Sequence, residues 1–123
     1  MRPQSTSLTG QELEIMKIVW ERESATVRDV YEVLLAKRKV AYTTVMTMMK
    51  ILERKKYLKR TMADRAWLYR PTQPKRKVIG AMVREFVNRV FNGSAEPLLV
   101  HLVEDHNLSR EDFDEIERLR REP

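Results

Sequence analysis

Four side chains of one short stretch have the chemistry to meet a nucleic-acid duplex. Between Ala41 and Lys55 the chain reads AYTTVMTMMKILERK. On a helix, Thr43, Thr47, Lys50 and Arg54 share one face, while Val45, Met48, Met49 and Leu52 share the opposite one. The second set is the stripe of a helix buried on one side. Threonine suits base edges, thymine methyls included, and Lys and Arg suit phosphates. Glu53 is the sole carboxylate of the stretch. An ordinary amphipathic surface helix has the same makeup, so the neighbouring elements must decide between the two.

Those neighbours supply a frame. Thr9-Gly10-Gln11-Glu12 reads as a capping box that opens a helix, with Leu8 and Leu13 in the staple positions. Leu13, Met16 and Trp20, flanked by Ile15 and Val19, form its expected apolar side, with Trp20 as a core anchor, and the helix is expected to end near Arg22 or Glu23. Ser24-Ala25-Thr26 is a short break. Thr26 then caps a second helix with Asp29 at its third position and Val27, Val30, Tyr31 and Leu34 as its stripe, ending in Lys37-Arg38-Lys39. Two helices on a short turn, the second with a polar and basic outer face, fit a helix-turn-helix.

After Lys56 the period changes to that of strands. Residues 57–61 and 66–70 alternate and are rich in aromatic or branched residues, with Met62-Ala63-Asp64-Arg65 as the expected connection and Pro71 as the end. The turn lacks the usual glycine. A basic hairpin directly after a helix-turn-helix is a wing, and Arg60 and Arg65 are expected near its tip. Trp67 and Tyr69 share a strand face, expected to pack on the first helix; stacking on single-stranded bases is the competing use.

Charge divides the chain. Residues 1–74 carry 15 Lys/Arg against 8 Asp/Glu, and residues 75–123 carry 9 against 10. Residues 36–77 alone hold 14 basic and 2 acidic residues, the signature of a polyanion binder joined to something else. The second part reads as three helices. Pro74 suits the first turn of one that ends at Asn92-Gly93, and Ser94 and Ser109 are candidate caps for the others. Their stripes include Ile79, Met82, Phe86 and Val90, then Leu98, Leu99 and Leu102, then Phe113, Ile116 and Leu119. Fewer than 50 residues make a small core, and a second copy of the segment is the simplest remedy. The expected architecture is mainly α with a small β-hairpin: a winged helix-turn-helix DNA-binding domain over residues 1–74 and a three-helix dimerisation domain over 75–123.

Catalysis is poorly supported. The chain has no cysteine, which excludes disulfides, thiolate metal sites and cysteine nucleophiles, and it has only 3 glycines and no phosphate-loop or nucleophile-elbow pattern. His101 and Asp105 lie one helical turn apart, a spacing common on helix surfaces and short of the ligands a tight metal site needs. No enzyme activity, metal or cofactor is expected. The first residues lack the apolar core of a signal peptide and no apolar run spans a bilayer, so a cytoplasmic protein without membrane insertion is expected.

The block Ala41-Tyr42-Thr43-Thr44-Val45-Met46-Thr47, together with Leu13-Glu14-Ile15-Met16, Trp20, Leu52, Lys55-Lys56 and Arg65-Ala66-Trp67-Leu68-Tyr69-Arg70-Pro71, resembles the penicillinase repressor family of bacterial regulators (BlaI/MecI/CopY type) over Leu8 to about Leu119. The resemblance implies a dimeric repressor on an inverted-repeat operator, with Thr43, Thr44 and Thr47 facing bases and Lys50 the backbone. Tyr42, Arg54, Lys55, Arg60 and Arg65 complete the expected phosphate and wing contacts, and which of Thr43 and Thr44 points at a base stays open. The family's penicillinase members are inactivated when a membrane sensor-protease pathway cuts an Asn-Phe bond in the dimerisation domain. The aligned pair here is His101-Leu102, a departure at the bond itself. The copper-responsive branch uses C-terminal cysteines, which this chain lacks. The expected partners are double-stranded DNA, a second copy and, by resemblance, a sensor protease. The alternative is a winged-helix adaptor that docks on an acidic protein without sequence-specific DNA binding.

Overall fold

The computed structural model describes residues 7–121. The element order is α1 (Gly10–Arg22), α2 (Val27–Leu35), α3 (Tyr42–Arg54), β1 (Leu58–Ala63), β2 (Ala66–Pro71), α4 (Lys75–Phe91), α5 (Glu96–His106) and α6 (Arg110–Arg121). The described residues up to Ile79 form one compact unit and those from Gly80 a second.

Reciprocal caps start α1 and α2. The Thr9 hydroxyl accepts from the Glu12 amide at 3.1 Å while Glu12 accepts from the Thr9 amide at 2.9 Å. Thr26 and Asp29 repeat the pattern at 3.1 and 3.0 Å. Each box satisfies two amides that a helix start leaves without intrahelical partners. α3 begins without a side-chain cap and ends in a paired motif: the Tyr57 amide donates to the Leu52 carbonyl and the Lys56 amide to that of Glu53. Lys56 holds the left-handed position there, at φ 75°, where glycine is usual.

The core of the first unit joins all these elements. Met16, Val19, Ala25, Val30, Val45, Met49 and Leu52 are completely buried, and Ile15, Leu34, Leu58 and Tyr69 nearly so. The core face of α1 is therefore carried by Ile15, Met16 and Val19, rotated from the expected Leu13–Met16–Trp20 line. Trp20 is only half-buried, and its indole N–H donates to the Gln73 carbonyl at 3.0 Å. A large ring with a polar edge settles where that edge finds a partner.

The wing is a two-stranded antiparallel sheet in which Arg60 faces Tyr69, Met62 faces Trp67 and Ala63 faces Ala66. The strands are longer than expected and the connection shorter, because Asp64 and Arg65 alone make the turn, at φ 49° and 68°. Positive φ at both central residues matches the strand twist that a two-residue hairpin needs. The break after α1 also pairs with the wing. Ala25 and Tyr69 exchange amide–carbonyl hydrogen bonds of 2.9 and 2.8 Å, adding a bridge beside β2.

The second unit contrasts with this. Asn92 and Gly93 end α4 at positive φ, and Ser109 and Asp112 cap α6 reciprocally at 2.8 and 3.1 Å. Ser94 does not cap α5: Ala95 takes that position, and the Ser94 hydroxyl donates instead to Glu96 at 3.0 Å. With Pro97 in the first turn, the helix starts one residue later than the serine signals. No residue of α5 or α6 is buried.

Candidate nucleic-acid interface

Burial fixes the orientation of α3. Val45, Met49 and Leu52 have no exposed surface, so the opposite side of the helix is the outer one. At about 100° per residue, Thr43, Thr47, Lys50 and Arg54 lie within about 50° of the outward direction. All four are exposed. Thr44 is also exposed but lies on the flank, where it lines a groove of about 270 Å³ with Arg38, Lys39, Val40 and Met48. The adjacent threonines thus differ: Thr43 belongs to the outward row and Thr44 to the edge nearest the end of α2.

The cations also separate by what holds them. Among the described residues, Lys50, Arg54 and Arg65 make no ion pair, and all three are exposed. Lys55, an expected phosphate contact, is engaged elsewhere. Its Nζ donates to Glu12 Oε1 at 2.8 Å and to the Ser7 carbonyl at 3.1 Å, and its side chain is 17 % exposed. The pair ties the end of α3 to the start of α1. Burial alone would raise the Glu12 carboxyl, but the hydrogen bond from Lys55, the Thr9 amide and the Lys55 charge outweigh it and hold Glu12 below its ordinary value.

Arg60 is likewise not at the wing tip. It sits in mid-strand, its Nε 3.3 Å from Glu53 Oε2 and its guanidinium 4.1 Å from the centre of the Trp67 ring. Arg65 occupies the tip itself. Trp67 remains 42% exposed while Tyr69 is buried, so the two aromatics on that face do different things. Tyr42 packs edge-to-face on Tyr31 at 5.4 Å, with the Arg28 guanidinium 5.7 Å from its ring. Arg38, from the basic run after α2, meets both carboxylate oxygens of Glu14 at 2.7 Å.

Nothing in the spacing of residues 12 and 55, or 53, 60 and 67, signals these pairings. The one available sign is compositional: Glu53 is the lone acid in an otherwise basic stretch.

A pair of helices, α2 and α3, whose second member turns threonines and unpaired cations outwards, followed by a basic two-stranded wing, defines a winged helix-turn-helix protein. Among solved structures, the DNA-binding domain of the repressor BlaI aligns with TM-score 0.53 at 24% identity, over 60% of this chain and 90% of that one. The reduced form of MarR from E. coli aligns with TM-score 0.51 at 19% identity, over 91% and 74%. At these identities both likenesses concern the fold. The penicillinase repressor family model matches residues 8–122, and the chain belongs to that family, one of transcriptional repressors and not of enzymes. The transcriptional regulator BlaI of Mycobacterium tuberculosis is 38% identical over 118 residues, covering 94% of this chain and 82% of the relative. The penicillinase repressor of Bacillus licheniformis is 27% identical, covering 89% and 85%. Among the described residues no helix is long and apolar enough to cross a membrane.

Proposed function

We propose that this protein is a cytoplasmic repressor that binds an inverted-repeat operator in double-stranded DNA as a homodimer. The observation that carries the reading is the outward row Thr43–Thr47–Lys50–Arg54 set opposite a fully buried Val45–Met49–Leu52 in a member of a repressor family. α3 enters the major groove. Thr43 and Thr47 read bases, Thr44 reaches the groove edge, and Lys50, Arg54 and Arg65 with Tyr42 contact the backbone. Lys55 holds the helix in place.

The second unit supports the homodimer. Val83, Phe86, Val90, Leu99, Leu102, Phe113, Ile116 and Leu119 are all between 37% and 56% exposed in the single chain. Apolar side chains in such density point to a covering surface, and a second copy supplies one of matching character. Joining two winged domains makes the second half-site contact intramolecular, which is where tight operator binding arises. By family resemblance, relief of repression comes through a sensor protease that cuts residues 94–108 and so separates the half-sites; His101-Leu102 marks the aligned bond.

Titration of the full chain against a duplex from upstream of its own gene, and against a scrambled duplex, tests the reading. The expected result is a clear preference for the former that weakens with salt. Equal binding to both, or none, would favour the adaptor reading, and binding to single strands alone would favour base stacking on the exposed Trp67.

A further inference from the structure

A lone carboxylate is out of place on a helix that faces phosphates, and Glu53 is the only acid between Ala41 and Lys55. Its partner explains it. Glu53 lies at the end of α3, half-buried, 3.3 Å from the Nε of Arg60 on β1. The Arg60 guanidinium in turn covers the ring of Trp67 on β2 at 4.1 Å. The strand register makes this a diagonal contact on one sheet face, since Arg60 is opposite Tyr69 and Trp67 is opposite Met62. One planar cation therefore touches the reading helix and both wing strands, with its side chain 30 % exposed.

We propose that Glu53, Arg60 and Trp67 form a clamp that sets the position of the wing relative to α3, and that Arg60 is a positioning residue rather than a phosphate contact. The proposal rests on the DNA-binding reading and adds to it. The carboxylate cancels the Arg60 charge, and the indole face holds the flat guanidinium; lysine supplies the charge without the flat surface. A wing fixed in this way holds Arg65 at a set distance from Lys50 and Arg54 before binding, so the three phosphate contacts form without an ordering cost; a loosened wing still makes them, but at that cost.

The experiment compares Arg60→Lys, Arg60→Ala, Glu53→Gln and Trp67→Leu in the full chain, with folding checked by circular dichroism. Affinity for the upstream duplex is measured over a range of salt. The clamp predicts that Arg60→Lys and Trp67→Leu each weaken binding by about tenfold, scaled on an exposed-to-partly-buried cation–π contact. It further predicts that the double variant Arg60→Lys/Trp67→Leu, made alongside the four, is no weaker than either of its single parents, and that the salt slope stays at the wild-type value. In the free protein, the upfield ring-current shift of the Arg60 side-chain protons should vanish in Trp67→Leu. Normal affinity for Arg60→Lys, with weaker binding and a salt slope flatter by about one for Arg60→Ala, would identify a phosphate contact and overturn the clamp. Wild-type affinity in all four variants overturns it too. A wild-type protein that shows no operator preference removes the DNA reading instead, and the clamp's role in binding with it; that failure differs from the others because it appears before any substitution.

Discussion

The two units bury their apolar residues to opposite degrees. In the first, helices α1 to α3 and the wing close over side chains with essentially no exposed surface. In the second, no residue of α5 or α6 is buried, although both carry apolar side chains at helical spacing. Both segments use the local signals of helices: reciprocal caps open α1, α2 and α6, and left-handed residues follow α1, α3, α4 and α5. Amphipathicity states that a face must be covered; whether the same chain covers it is a property of size and arrangement. The first unit has three helices and a hairpin to fold around one another, and the second has too few residues to do the same.

The sharpest way to break this contrast is to charge the open face. Phe86→Asp should abolish the dimer in sedimentation and lower operator affinity by about 10²- to 10⁴-fold, because the half-sites lose their tether. A wild-type chain that sediments as a monomer at micromolar concentration would show that the exposed face has another use. The closed unit should respond in stability instead. Leu52→Ala should cost about 3 kcal/mol in urea unfolding, the usual effect of a cavity in a dry core.

The brace between the helices should follow. Glu12→Ala breaks a largely buried pair and half of a capping box, and is expected to cost about 3 kcal/mol or somewhat less. Its pH signature has a definite sign. The folded carboxyl titrates below its ordinary value, so its contribution is present above that ordinary value and is lost as pH falls through the folded value. Urea midpoints measured from neutral pH downward should drop in this acid range, and the drop should be smaller in Glu12→Gln. The smallest effects on stability, and the most specific effects on binding, are expected at the outward residues. Thr47→Ala should leave the unfolding midpoint unchanged and reduce discrimination between operator and scrambled duplex by about 1–3 kcal/mol per lost base contact. Lys50→Ala should weaken binding to both duplexes and flatten the salt slope by about one unit. An equal loss on both duplexes for Thr47→Ala would place the reading face elsewhere.

Much of the first unit is legible from residues close together in the chain. The Thr9/Glu12 and Thr26/Asp29 boxes located two helix starts, and the period of Val45, Met49 and Leu52 fixed which side of α3 is inside. These are readable because caps and helical faces depend on residues three or four apart. The sequence also distinguished the basic first part from the near-neutral second, and the family resemblance rests on contiguous blocks of residues. What holds each cation followed from the packing of the elements alone. Lys50 and Lys55 look alike in the sequence, yet one is exposed and the other is held by a carboxylate 43 positions away. Arg60 and Arg65 differ in the same way, through a two-residue turn without glycine that moved one to the tip and left the other beside Glu53 and Trp67. Thr43 and Thr44 separate because α3 is pinned at one rotation by the core. Local spacing sets the face of an element, but the partner of a side chain depends on which elements pack together, and only the folded chain brings those side chains within hydrogen-bonding distance.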